Sequence, residues 1–530
     1  MGRKKIFVML WASHVPILNR IKDDLNVELD IATDGGLDSQ SDVEMIVDRM
    51  RSADATILYR HNTDFMDRVD EAMAKYRSEC KIISLANDPS MWGLTTVDHA
   101  DAVQCFMYMQ ASGDENFRRL FDFIDKRILG SEGEPLPPLD IPYEAVVDID
   151  DSEITYLTTK EYLEAKHIDT SGRFVGIIAS RPSYMADGLC VERALAKELR
   201  SLGVTPILIY CMFSKRSDLG TRSHIECIKD FFYLDGEMLV DAMVKFSTAF
   251  IRNSKYDNEP DPNDNILAEM NIPVYAPIIM NRMSVEEWEA SNGLTSDIVW
   301  QVSFPEFEGL IGPYVIASDI GFVRNDDLKG RTVIPERCRR VAERISNDIS
   351  LRYKPNSEKK ILIFLNNFPC YGVEANVGNA AGLDTLESVA DIMKRLKADG
   401  YTVEPPEDGK ELIDLILKNK ALSEFRWTTT IEMKKCGGVI HEMDVDEYQR
   451  YFDTLTKKAR DDIVNTWGEP PGKAMVLDDK IQITGVNFGN VMVVVQPKRG
   501  CFGAKCDGQA CKILHDPACP PTHQYIATYH

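Results

Sequence analysis

The chain of 530 residues lacks any apolar run of about 18 or more, the minimum that crosses a bilayer, so nothing in it reads as a membrane span. Basic clusters are missing too. Lys and Arg number 61 against 84 Asp and Glu, a net charge of −23. Neutralising phosphates needs grouped cations, which argues against a nucleic-acid partner. No G-x-x-x-x-G-K-[ST] occurs. The nearest string, Gly468-Glu469-Pro470-Pro471-Gly472-Lys473-Ala474, is one residue short, lacks the hydroxyl, and puts two prolines where N–H donors are needed. No G-x-G-x-x-G follows a strand pattern, and H-E-x-x-H, G-x-S-x-G and the kinase signature set are absent. Any ATP chemistry is therefore expected on another chain. The start has a short apolar run, Ile6–Leu10, without the longer core and small-residue cleavage site of a secretory signal, so a cytoplasmic location is expected. There is no internal repeat and no low-complexity tract.

What is present suffices for several cores. Hydrophobic residues are 44% and charged residues 27%, and at roughly 100–200 residues per domain the length implies three or four domains. Ile6–Leu10, Ala55–Tyr59 and Lys81–Leu85 read as parallel strands buried on both faces, separated by amphipathic helical segments at Val43–Met50 and Asp64–Tyr76. Further strands are expected at Phe174–Ile178, Pro206–Tyr210, Pro273–Met280, Ile298–Val302 and Lys360–Leu365, and a β-rich stretch at Lys480–Gln496. Helices are expected near 187–202, after the capping box Ser284-x-x-Glu287, from Thr385 to Ala398, and as one long charged element over Val445–Trp467. Alternation of this kind gives an α/β class with several doubly wound, Rossmann- or flavodoxin-like three-layer domains in one chain. The expected divisions are 1–130, an acidic linker over 131–170, 171–355 and 356–530. The linker rests on residues 131–153, which hold four prolines, eight acids and no Lys or Arg. The end, Thr522–His530, reads as an amphipathic helix cut in mid-turn.

Four places have residue types suited to chemistry. Leu365-Asn366-Asn367 to Gly378-Asn379-Ala380-Ala381-Gly382-Leu383-Asp384-Thr385 joins a strand to a helix. Its small residues permit backbone approach to an anion, or Asp384 or Thr385 simply caps the helix. Pro305-Glu306-Phe307-Glu308-Gly309 offers two carboxylates for proton abstraction or cation binding, or a solvated turn. Gly485-Val486-Asn487-Phe488-Gly489-Asn490 and Gln496-Pro497 place glycines and amides in β-rich sequence, for packing or for a ligand. Finally Cys501, Cys506, Cys511 and Cys519 crowd the end with His515 and His523 interleaved. This donor set suits zinc, cobalt or an iron–sulfur centre, but its spacing matches no standard ribbon, and free thiols are the alternative. The other eight of the 12 cysteines are scattered, as are His61, His99, His167, His224 and His441, and these are expected to be core or surface residues.

Several of these strings occur together and in order: Gly378–Thr385, Gly485–Val491, Val495-Gln496-Pro497, Leu514-His515-Asp516-Pro517 and Pro520-Pro521-Thr522-His523-Gln524-Tyr525, preceded by Trp92–Asp98, Glu115–Arg118, Trp288–Leu294 and Pro305–Gly309. They resemble the large subunit of aerobic-type cobaltochelatase, the CobN family, which is related to the H subunit of magnesium chelatase. The resemblance implies a subunit that binds a tetrapyrrole while a divalent metal enters. Cobalt(II) and hydrogenobyrinic acid a,c-diamide would be substrates in one branch, magnesium and protoporphyrin IX in the other. A separate AAA+ motor would use the ATP. It further implies His523 and His515 as catalytic groups near macrocycle or metal, Asn379, Asp384, Asn487, Asn490 and Gln496 as substrate contacts, and Cys501, Cys506, Cys511 and Cys519 as ligands to zinc, an iron–sulfur centre or the incoming metal. Family members are much longer and continue past the Pro-Thr-His-Gln-Tyr helix into a His-x-Gly-Thr-His-Gly-x-Leu-Glu segment, so the resemblance implies an N-terminal portion with its main catalytic acid elsewhere. A chelatase for magnesium or nickel, or a non-catalytic tetrapyrrole scaffold, are the alternatives.

Overall fold

Apolar runs too short for helices, set between amphipathic segments, become the strands of parallel sheets. The computed structural model describes residues 3–11, 14–33, 37–60, 63–212, 215, 219–246, 251, 266–281, 283–294, 297–319, 331–367, 377–423, 428–497 and 518–530. The chain divides into two compact units, Met1–Ser350 and Leu351–His530.

In the first unit, β1 (Lys5–Met9), β2 (Glu28–Ala32), β3 (Ala55–Tyr59) and β4 (Ile82–Leu85) form a parallel sheet in the order β2-β1-β3-β4. Alternate side chains feed two cores: Ile6, Val8 and Ile57 lie on one face, Phe7, Met9 and Leu58 on the other. The helix Gln40–Ser52 starts at Ser39, whose side chain accepts from Asp42 N in a capping box.

A six-stranded sheet follows, built from β5 (Ala145–Val147), β6 (Thr155–Tyr156), β7 (Arg173–Ser180), β8 (Val204–Cys211), β11 (Ala242–Lys245) and β12 (Val274–Tyr275) in the order β12-β11-β7-β8-β5-β6. β9 (Tyr233–Leu234) and β10 (Glu237–Met238) pair as a separate hairpin. The four strands β12, β11, β7 and β8 run parallel, while β5 is antiparallel to β8. Val175, Ile177 and Leu208 point to one core, Phe174, Ile178 and Ile209 to the other. A small sheet of β13 (Ile278–Met280), β14 (Val315–Asp319) and β15 (Arg331–Val333) completes this unit's strands among the described residues.

Two expectations change here. The stretch 131–170 is not a linker throughout. Ala145, Val146 and Val147 are fully buried in the sheet, and the capped helix Thr159–Ala165 follows. Three apolar residues are too few to show a period among eight acids. Those acids are not simply solvated: Asp148 accepts from Asp150 N and ion-pairs with Lys166, and Glu144 accepts from Arg222 N. The proline run is strapped down as well, with Leu139 N donating to Asn116 Oδ1 at 2.7 Å and Arg119 donating to Pro137 O. The second change is Ile298–Val302, expected as a strand. It is helical, a π-turn over Val299–Ser303 that runs into the helix Phe304–Phe307. Its Ile298, Val299 and Trp300 are exposed, and a five-residue stretch with four apolar residues carries no period long enough to separate a strand from a helical turn.

The second unit holds two three-stranded sheets. β16 (Ile361–Leu365) pairs in parallel with β21 (Val491–Val495), which pairs antiparallel with β20 (Val486–Asn487). β17 (Val439–Asp444), β19 (Lys480–Thr484) and β18 (Val476–Leu477) are antiparallel in the order β17-β19-β18. The helix Thr385–Ala398 spans the residues expected of it. The single charged helix expected over Val445–Trp467 is two helices, Val445–Phe452 and Lys457–Trp467. Thr456 makes the break, because its hydroxyl accepts from Ala459 N and starts the second one. The whole is an α/β protein with several sheets of parallel strands, and no helix among the described residues is long and apolar enough to cross a membrane.

Candidate functional site

The parallel pair β16 and β21 brings distant motifs to one edge. At the C-terminal ends of these strands, Gln496 N donates to Leu365 O at 2.9 Å and the Asn367 amide donates to Gln496 O at 3.3 Å. Residues 377–379 lie on the same edge: Gly378 N donates to Asn366 O at 2.7 Å, and the Asn366 amide donates to Asn379 O at 3.1 Å. Gly378 has φ +72°, a conformation glycine adopts without strain. The Gln496 side chain reaches the Tyr525 hydroxyl at 3.0 Å. Asn366, Asn367, Asn379, Gln496 and Tyr525 thus form one neutral, amide-rich ledge, in the position where parallel strands ordinarily present ligand groups.

His523 opens the helix His523–Tyr529, whose cap is the Thr522 hydroxyl accepting from Tyr525 N. The imidazole is 1% exposed. Nε2 lies 2.8 Å from Gly468 O and Nδ1 lies 2.8 Å from the Tyr448 hydroxyl. A carbonyl only accepts, so Nε2 carries the hydrogen and Tyr448 donates to Nδ1. Burial pulls the pKa of His523 below the usual histidine value, and the Gly468 carbonyl offsets part of that. The ring is neutral with both nitrogens engaged. In this arrangement His523 braces the helix against Tyr448 and offers no free nitrogen to a metal or a proton, so the catalytic role expected of it is not the one its geometry presents. A cavity of about 10 Å³ beside it, lined by Trp467, Gly472 and Thr522 among others, is water-sized.

The remaining expected residues scatter. Asp384 caps the helix Thr385–Ala398 by accepting from Glu387 N at 3.1 Å, the structural alternative raised by its sequence position. Asn487 and Asn490 lie at the opposite end of β21 from Gln496. Asn487 Oδ1 accepts from Gly489 N at 2.8 Å, and the Asn490 amide donates to Ser357 O at 2.8 Å. Five residues of strand separate the two ends by about 16 Å. Asn487 and Asn490 therefore hold a hairpin and do not share the ledge with Gln496. Cys519 is 6% exposed in an apolar cluster with Met443, Tyr448 and Trp467, which suits a packed thiol better than a metal ligand. Cys501, Cys506, Cys511 and His515 lie outside the described residues. Among the described residues no group of three or more His, Cys, Asp and Glu is arranged to hold a metal.

The carboxylates of Pro305–Gly309 part company. Glu306 is exposed, whereas Glu308 pairs with Lys245 Nζ at 2.5 Å and accepts from Ile251 N at 2.6 Å. Lys245 ends β11 and is 3% exposed, and burial lowers its pKa while Glu308 partly restores it. Sequence reasoning missed Lys245, Tyr448 and the part played by Tyr525. Lys245 and Tyr448 meet their partners across 63 and 75 residues, so no local signal marked them.

Comparison with known proteins gives a consistent result. A family model described as CobN/Magnesium Chelatase matches residues 106–530. An uncharacterized Methanocaldococcus jannaschii protein, MJ1441, is 35% identical over 99% of this chain and 42% of its own length. The aerobic cobaltochelatase subunit CobN of a Sinorhizobium species is 24% identical over 83% of this chain and 33% of its own. Among solved structures, the catalytic subunit of cobaltochelatase from Mycobacterium tuberculosis has the same fold: TM-score 0.66 at 20% identity, over 100% of this chain and 41% of that one. The chain spans less than half the length of these relatives.

Proposed function

The chain belongs to the CobN/magnesium chelatase family, and from that premise we propose that it is part of a large subunit that holds a tetrapyrrole while cobalt(II) is inserted. The ring substrate in this reading is hydrogenobyrinic acid a,c-diamide, and the step belongs to cobalamin biosynthesis in the cytoplasm. The observation that carries it is the ledge at the C-terminal ends of β16 and β21, where the family-like strings Gly378–Thr385, Val495–Pro497 and Thr522–Tyr525 converge. Neutral amides suit a ring edged by carboxylates and amides, since each can donate and accept without a buried charge. Gln496 and Asn366 would orient the periphery, and His523 would act through Tyr448 to fix the helix bearing Tyr525. Insertion removes two pyrrole N–H protons and part of the metal's hydration shell. Metal delivery by His515 with Cys501, Cys506 and Cys511 is part of the same proposal, with zinc or an iron–sulfur centre as the other use of those thiols. ATP would be hydrolysed on AAA+ partner subunits, in keeping with the missing P-loop.

The test is an anaerobic titration of the chain with hydrogenobyrinic acid a,c-diamide and with protoporphyrin IX, read by quenching of its six tryptophans. Saturable binding of the first is expected, weakened about three- to tenfold by Gln496→Ala, which removes one or two hydrogen bonds. Binding of protoporphyrin alone would move the assignment to magnesium insertion. Binding of neither ring would overturn the proposal for this portion of the subunit.

A further inference from the structure

The helical run over 297–308 turns its polar side chains inward and its apolar ones outward. Asp297, Gln301 and Glu308 follow one another at spacings of four and seven, which puts them on one face. Asp297 is 4% exposed, and its carboxylate accepts from Asn281 N at 3.1 Å. The Gln301 amide donates to Ile279 O at 2.6 Å, and Glu308 is held by Lys245 and by Ile251 N. Val302 packs against the small core of Ile278, Met280 and Val315. The aromatic residues do the opposite. Trp300, Phe304 and Phe307 follow at spacings of four and three, with successive ring centroids 4.8 and 6.5 Å apart, yet Trp300 is 55% and Phe307 79% exposed. Ile298 and Val299 beside them are exposed as well.

A helix ordinarily buries its apolar stripe, so this inversion works against the first unit standing bare in water. At about 150–250 Å² per aromatic side chain, the two exposed rings leave on the order of 300 Å² of apolar surface uncovered, and patches of that size mark contact sites. The polar anchors hold the rings from below, so the surface is ordered before anything binds. A second copy is a poor occupant. Glu306 is exposed between the rings, and chains of net charge −23 would set carboxylate against carboxylate across a two-fold contact. A permanent neighbour in the same polypeptide fits better, because such neighbours meet through apolar faces that resemble a domain core cut in half. MJ1441 holds the counterpart of this chain as 42% of its length, with the remainder tethered to it.

We propose that the aromatic face of Trp300, Phe304 and Phe307 is where the rest of the large subunit docks, the portion that MJ1441 has beyond the share matched by this chain, which rests on reading the chain as part of such a subunit. The docked portion lays apolar side chains over the two exposed rings. It also brings a cation to Glu306, whose carboxylate would otherwise lose its water without a partner. Glu308 does not take part, because Lys245 already neutralises it beneath the surface.

Hydroxyl-radical footprinting read by mass spectrometry tests this on two intact proteins, this chain and full-length MJ1441. The labelling of a peptide in urea divided by its labelling in the native state should be below about 2 for 297–311 here and above about 10 for its counterpart in MJ1441, since the centre of an interface excludes water. A counterpart labelled as strongly as 297–311 overturns the proposal, and the ring titration then judges the subunit reading separately. In this chain, Trp300→Ser combined with Phe307→Ser should lower the fluorescence of the dye ANS several-fold without moving the melting temperature. A fall of more than about 5 °C would assign the rings to this chain's own core. Light scattering that shows a dimer in the wild type and a monomer in the double variant would assign them to a second copy. Either result overturns the proposal.

Discussion

Two strands of nearly the same character, β3 (Ala55-Thr56-Ile57-Leu58-Tyr59) and β16 (Ile361-Leu362-Ile363-Phe364-Leu365), end in different surroundings. Every residue of β3 is buried, because it lies between β1 and β4 with a core on each face. Among the described residues β16 is an edge strand with β21 as its one neighbour, and within it only Leu365 is fully buried while Leu362 is 44% exposed. An apolar run therefore announces a strand without saying how many of its faces and edges will be covered. That is set by the topology around it. The contrast also bears on the candidate site: β3 is covered on both faces, and the half-open β16 leads into the ledge of Asn366, Asn367 and Gln496.

The largest effect that could break this comparison is Ile57→Ala, which should cost the first unit about 3 kcal/mol, as for other large-to-small changes at fully buried sites. Thermal unfolding followed by circular dichroism would show it, and a loss below about 1 kcal/mol would mean that β3 is less enclosed than described. Val493→Ala, in the strand beside β16, should cost about 2 kcal/mol, since Val493 is 1% exposed.

His523→Ala should also cost about 2 kcal/mol by leaving the Tyr448 hydroxyl and Gly468 carbonyl without partners. This substitution tests the pH dependence too. The folded protein holds the His523 pKa below that of the unfolded chain, so below about pH 6.5 the unfolded state binds more protons. Stability contributed by the neutral ring is complete above that pH and falls as pH drops toward the folded value. Urea unfolding at pH 7 and pH 5 should show a smaller acid loss in the variant than in wild type, and equal losses would place the ring in solvent.

Asn490→Ala should cost about 1 kcal/mol for one lost side-chain hydrogen bond while leaving ring binding unchanged, unlike Gln496→Ala at the other end of β21. Equal loss of ring binding in both would put the two ends of the strand in one site. The smallest effect is expected at Leu362→Ala, under about 1 kcal/mol, because the side chain is already half in water.

Much of the fold was legible because the signals are local. The strands β1, β3, β4, β7, β8 and β16, the helix Thr385–Ala398 and the capping box at Ser284 follow from short apolar runs, a 3.6-residue period and one hydroxyl–carboxylate pair. β5 escaped notice because three apolar residues among acids show no period, and Thr456 broke a helix that composition alone would continue. The site was legible only in part. Asn366 and Asn367 bring Asn379 and Gln496 to one edge, whereas Asn487 and Asn490 do not reach it, although they stand within ten residues of Gln496 in sequence. Along an extended strand, nearness in sequence becomes distance in space.

By itself the sequence determined the α/β class, most strand and helix positions, the lack of a P-loop and the strings shared with the chelatase family, all properties of residues close together in the chain. Only the tertiary structure decided that His523 is a neutral brace between Tyr448 and Gly468 and that Glu308 is spent on Lys245. Each of these depends on a partner brought near by packing, and packing sets burial, hydrogen bonding and protonation, which residue identity leaves open.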